Sequence, residues 1–120
     1  MKGLKEILLA EQARLEQIVI NTKKSLVNAP EGTLRMSQRN SYQQFYHCTE
    51  ENKSGKYITK GNDEIIRKLA QKTYDLRVLR LAEKRLNQVK KILKDYEDDE
   101  IEQSFLNIGK IEQLVKRYLI

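Results

Sequence analysis

Read from Glu64, apolar residues recur at Ile65, Leu69, Leu76, Leu79, Ala82, Leu86, Val89, Leu93 and Tyr96. This alternation of three and four sets one stripe along an α-helix. No Pro or Gly interrupts the run, Asn62 stands as a candidate N-cap after Gly61, and Asp63 and Glu64 place negative charge in the first turn. The spacing predicts a helix over residues 62–97. Its stripe slips where Leu76, Leu79 and Ala82 come three apart twice, which predicts a local kink or a change of packing partner.

A second amphipathic stretch opens the chain. Leu4, Leu8, Leu15, Ile18 and Thr22 keep a heptad-like spacing that Ile7, Val19 and Leu26 widen, and Asn28 and Pro30 close it. A helix over residues 2–28 follows. Neither stripe is wide enough to stand alone, so two long antiparallel helices bury them on each other, as a helical hairpin or coiled-coil stalk within one chain or through a second copy.

Between the rods the pattern changes to period two. Gly32 to Arg39 and Tyr42 to Thr49 read as strands about Asn40-Ser41, and Lys56 to Thr59 as a short third strand after Lys53-Ser54-Gly55. A two-residue turn pairs Arg39 with Tyr42, Ser37 with Gln44 and Arg35 with Tyr46 on one face, and Met36 with Phe45 and Leu34 with His47 on the other, taken as the buried one. Residues 31–60 thus form a small β-hairpin or three-stranded sheet inserted between the rods. After the acidic run Asp95 to Glu100, in which Asp98 or Asp99 is placed to cap a further helix, Ile101, Phe105, Ile108, Ile111, Val115 and Tyr118 predict one or two short helices over 99–119, divided at Gly109. The apolar ending Tyr118-Leu119-Ile120 suggests a longer natural polypeptide. The expected fold is mainly α, organised as one domain over residues 1–120.

Composition narrows the functional classes. One third of the residues are charged and there is no Trp, which suits an elongated bundle with a thin core. The net charge of +6 and pI near 9.4 favour acidic partners such as nucleic acid, although basic helices also serve solubility. Between residues 60 and 94, eleven Lys or Arg stand against four Asp or Glu. One cysteine excludes an intrachain disulfide framework and fits a reducing, cytoplasmic setting. No segment reads as a secretory signal or a membrane span.

Glu31-Gly32-Thr33-Leu34-Arg35-Met36-Ser37, Tyr46-His47, Gly55-Lys56-Tyr57-Ile58 and Leu69-Ala70-Gln71-Lys72-Thr73-Tyr74-Asp75, in that order, resemble the N-terminal region of a group of uncharacterised Firmicutes proteins. The resemblance covers roughly residues 29–80. Longer members of that group carry a further domain resembling the PD-(D/E)xK nucleases, to which nothing in residues 1–120 corresponds. The resemblance implies an accessory or recognition module and carries over no activity. Cys48 stands where a basic residue is expected, interrupting a positive strip along that strand.

Arg35 and Arg39 facing Tyr46 and Tyr42 alternate cation and ring, an arrangement that can hold phosphates while bases stack. The same pairs can also merely stabilise an exposed sheet face. Lys56 joins this group on the third strand, and Arg77, Arg80 and Lys84 offer a phosphate-holding flank on the main helix. That basic flank, read with Arg85, Lys90, Lys91 and Lys94, winds around several faces and is otherwise a solvated surface. Adjacent His47 and Cys48 point to opposite strand faces with no further His or Cys, so neither a metal site nor a nucleophile–base pair is expected. The acids at 95–100 lack the loop that calcium requires. Among Gln71, Lys72, Tyr74 and Asp75, hydrogen bonds that fix the hairpin on the rod are expected. No catalytic constellation, cofactor site or small-molecule substrate is expected. The chain reads as a non-enzymatic nucleic-acid-binding or nuclease-accessory module. The alternative is a protein-interaction or dimerisation module, including an inhibitor of another enzyme, acting through its helical seams.

Overall fold

The structure, a computed structural model, describes residues 3–109 and 114–116. Helix α1 spans Leu4–Val27, strands β1 Thr33–Arg39, β2 Tyr42–Cys48 and β3 Lys56–Tyr57 follow, then helices α2 Asp63–Leu93 and α3 Glu100–Leu106. At about 1.5 Å per residue the two long helices run about 36 and about 47 Å. The expected architecture holds: long helices on either side of an inserted sheet, with a short helix after the second. The predicted positions Ile111 and Tyr118 lie outside the described residues.

The helices pack antiparallel within one chain. Ser25 meets Asp75 at one end and Lys5 meets Glu97 at the other, so heights along the pair match when residue numbers sum to about one hundred. Leu15, Ala82 and Val89 form the buried seam, flanked by Leu8, Ile18, Val19, Leu86 and Leu93. All of these belong to the predicted stripes, from which Leu4, Ile7 and Leu76 depart by lying exposed at 48, 52 and 46 %. The result is a slender body of 80 × 32 × 28 Å with a Cα radius of gyration of 25.1 Å. A compact chain of this length would have about 14 Å.

Ahead of the slip in the stripe, α2 meets the sheet as well as α1. Leu69, wholly enclosed at 0 % exposure, lies outside the α1–α2 cluster. On a wheel of 100° per residue, Leu69, Lys72 and Asp75 step round the helix by about 60° each. Asp75 faces α1 through Ser25, Lys72 binds the Pro30 and Gly32 carbonyls that lead into the sheet, and α2 packs against β1.

The main helix stops at Leu93, four residues before the predicted end. The acids beyond it serve α1. Asp98 accepts a hydrogen bond from the Lys5 backbone N–H at 3.1 Å, satisfying one of the unpaired donors at the start of that helix. Asp99, the other residue expected to cap, occupies the N-cap position of α3 and accepts from the Gln103 side chain.

The sheet has order β1-β2-β3, both pairings antiparallel. Its first register is the predicted one, from Arg39 opposite Tyr42 to Leu34 opposite His47, about a turn in which Asn40 takes a φ of 42°. Asparagine tolerates that left-handed conformation better than most residues. The predicted buried face needs correction. Leu34, Phe45 and His47 are half-buried, whereas Met36 is 53 % exposed. Met36 lies on the edge strand, where a single helix covers only part of one sheet face. The buried sheet-side residue is Ile58, just past β3, whose N–H donates to the Phe45 carbonyl.

Candidate nucleic-acid interface

Strand alternation sorts the predicted residues. Arg35, Ser37 and Arg39 on β1, Tyr42, Gln44 and Tyr46 on β2, and Tyr57 on β3 share the sheet face away from Phe45 and Ile58. The Arg35 guanidinium carbon sits 4.0 Å above the Tyr46 ring centroid. Tyr46 meets Tyr57 edge to face at 5.7 Å and 64°. Such contacts contribute about 0.5–1 kcal/mol for an exposed cation on a ring and about 0.5–1.5 kcal/mol for a ring pair.

Polar bonds tie the layer together. Arg35 donates Nε and Nη2 to the Ser54 carbonyl at 3.0 and 2.8 Å, and Gln44 Oε1 accepts from the Tyr46 hydroxyl at 3.1 Å and Arg39 Nε at 3.2 Å. Gly55 lets the β2–β3 turn lie this close. At its φ of +100°, an added Cβ would stand 2.7 Å from Tyr46 Cβ and 2.9 Å from Cys48 Sγ.

This geometry separates the predicted residues into two roles. Arg35 is a brace whose guanidinium is already committed to a carbonyl and a ring. Arg39 and Tyr42 at the hairpin tip, and Tyr57 on the third strand, remain exposed. Lys56 does not join them. It pairs with His47 and therefore projects to the opposite face, correcting its predicted place beside Arg35. His47 Nε2 lies 2.6 Å from the Glu31 carbonyl, to which the ring N–H donates.

The helix cations form a separate patch. Arg77, Arg80 and Lys84 are exposed, and no ion pair among the described residues engages them. With Lys91 they fall within about 60° of one another on the wheel, opposite the Asp75, Ala82 and Val89 seam. These four make one stripe, while Arg85, Lys90 and Lys94 fall at other angles, so the flank as a whole winds over several faces as the sequence predicts. It starts about 8 Å along the axis from Lys72 and runs away from the sheet.

Tyr57 is not singled out as a site by the sequence, whereas Asp75 and Tyr74, expected to help fix the hairpin on the rod, do otherwise: Asp75 binds α1 and Tyr74 is 63 % exposed. Tyr57 completes the aromatic row, but its register depends on a β2–β3 turn of unfixed length. Asp75, 5 % exposed, accepts from Ser25 Oγ at 2.5 Å and Gln71 Nε2 at 2.9 Å, making the junction of both helices a polar one. Elsewhere, Glu11 is held below the usual carboxylate range by its bond from Arg14. Lys5 is pushed up by its bond to Glu97. No helix among the described residues is long and apolar enough to cross a membrane. No known protein family, curated protein or solved structure matches this chain.

Proposed function

We propose that the protein is a non-enzymatic nucleic-acid-binding module, of the kind that would accompany a nuclease. The observation that supports this is the outer sheet face, on which a cation and two Tyr rings lie in contact beside Arg39 and Tyr42. Rings offer faces to bases and Arg39 a fork to phosphate. The stripe of Arg77, Arg80 and Lys84 adds long-range attraction without sequence reading. No catalytic residue, cofactor or small-molecule substrate enters this reading.

The test is a salt series of fluorescence anisotropy with labelled mixed-sequence oligonucleotides. Affinity should fall steeply between about 50 and about 200 mM salt, by an order of magnitude or more if several phosphates are held. The variant Arg39→Gln should weaken binding at every salt concentration, and Arg77→Gln with Arg80→Gln should flatten the slope. Affinity indifferent to salt and to these changes overturns the reading.

A second reading has its own support. Leu9, Ile20 and Val27 are exposed, Val27 at 78 %, and fall within about 20° of one another on α1, away from the Leu15 seam. Such a stripe suits docking to another protein or to a second copy. A concentration-dependent dimer mass in sedimentation, abolished by Ile20→Lys, would favour it over nucleic acid.

A further inference from the structure

The third strand ends too early to cover its neighbour. β2 runs for seven residues, but β3 pairs only with Tyr46 and His47, and the last rung is the Ile58 N–H to the Phe45 carbonyl at 2.8 Å. In an antiparallel ladder the residues of one strand direct N–H and C=O alternately to either side. Because Phe45 faces β3, so does Gln43, and among the described residues no backbone bond continues the ladder to it. Thr59 and Lys60 have turned away toward the start of α2.

The space they leave is a cleft of about 520 Å³, within the range of about 300–1,000 Å³ usual for small-ligand sites. Tyr42 and Tyr57 stand at its outer side, Phe45, Ile58 and Ile66 line its inner side, and Lys60 and Asp63 border it. It is therefore continuous with the aromatic face described above, since Tyr42 and Tyr57 belong to both.

We propose that this cleft takes one unpaired base of a single-stranded nucleic acid, with its polar edge on the Gln43 N–H and C=O and its face against the Tyr42 or Tyr57 ring. Three features select this occupant. A single open rung offers one donor beside one acceptor, the pattern on the pairing edge of a nucleobase, whereas an added peptide strand needs several successive rungs. Tyr42, Phe45, Tyr57, Ile58 and Ile66 supply rings and apolar surface to a lining that is otherwise polar, a mixture that suits a flat heterocycle with a polar edge. Lys60 at the border and Arg39, opposite Tyr42 in the register, give the positive charge that complements the flanking phosphates, while Asp63 is an acceptor suited to an exocyclic amino group. Duplex cannot use the cleft, because its base faces and pairing edges are already occupied. The inference rests on the nucleic-acid reading above and narrows it to single strands.

The experiment compares a short mixed-sequence single strand, as DNA and as RNA, with the same sequence as duplex, binding the full chain at low salt. The single strand should bind at least several-fold tighter. At least one of Tyr42→Leu and Tyr57→Leu should lower single-strand affinity roughly 5- to 100-fold and duplex affinity by much less, while Tyr57→Phe keeps the ring and the affinity. In an amide-resolved NMR titration of the unmodified protein, the Gln43 N–H should be among the most shifted, a readout that needs no variant. Equal binding of duplex, or an unmoved Gln43 amide during salt-sensitive binding, overturns the cleft and leaves the phosphate-holding function standing. Absence of binding by either form overturns both. A Gln43 shift caused by extended peptides alone would assign the open edge to strand addition and likewise overturn the proposal.

Discussion

Asp75 joins the two long helices near the sheet. A buried carboxylate needs its oxygens satisfied, and Ser25 Oγ and Gln71 Nε2 each supply one bond. Removing the hydroxyl with Ser25→Ala leaves one oxygen without its donor. That should destabilise the fold by about 1–3 kcal/mol in urea denaturation. A change under about 0.5 kcal/mol would mean that water replaces the hydroxyl there at little cost. The sequence marks Asp75 as a polar residue near the slip in the stripe. It gives no sign of Ser25 fifty positions earlier, because that distance is set only when the helices dock. The Arg35–Tyr46 contact, by contrast, was readable from a two-residue turn and strand alternation alone.

Among elements, the informative contact is between α2 and the hairpin. Lys72 Nζ donates to the carbonyls of Pro30 and Gly32 at 3.0 and 2.8 Å, tying the sheet to the stalk through one side chain. Lys72→Met retains the stem and loses both bonds, as well as the neutralisation of those carbonyl dipoles. The expected outcome in hydrogen exchange is faster opening of hairpin amides 33–48 with stalk amides around Leu15 and Val89 unchanged. Uniform loosening of both would show that sheet and stalk open as one unit. The hairpin register was legible because side-chain period and turn length agree. Its buried face was misjudged at Met36, since alternation states which residues share a face and says nothing about how far a covering helix extends.

For the whole molecule, the far end of the stalk is closed by electrostatics. The stretch after α2 brings Glu97 to Lys5 and Asp98 to the first turn of α1. The bond to Asp98 raises the Tyr96 hydroxyl above its usual value of 10.0, and the bond to Glu97 raises Lys5 above 10.5. Both folded values lie above the unfolded ones, so both contributions are complete at neutral pH and disappear as the pH rises through the folded values. Ultraviolet titration at high pH should therefore show one of the six tyrosines deprotonating late, and Tyr96→Phe should remove that late portion. A titration superimposable on that of the variant after scaling to five rings would refute this closure.

Periodicity by itself determined the two rods, the strands between them and the Arg and Tyr residues of the hairpin that share a face, because each depends only on neighbours within a few positions. Tertiary structure alone decided that Leu69 is enclosed apart from the seam in which Ala82 meets α1, that Asp98 serves a helix ninety residues upstream, and that Lys56 parts from Arg35. It also left Gln43 beside an open cleft. These outcomes depend on the relative placement of distant elements, and placement is fixed by which surfaces fit once the rods have met.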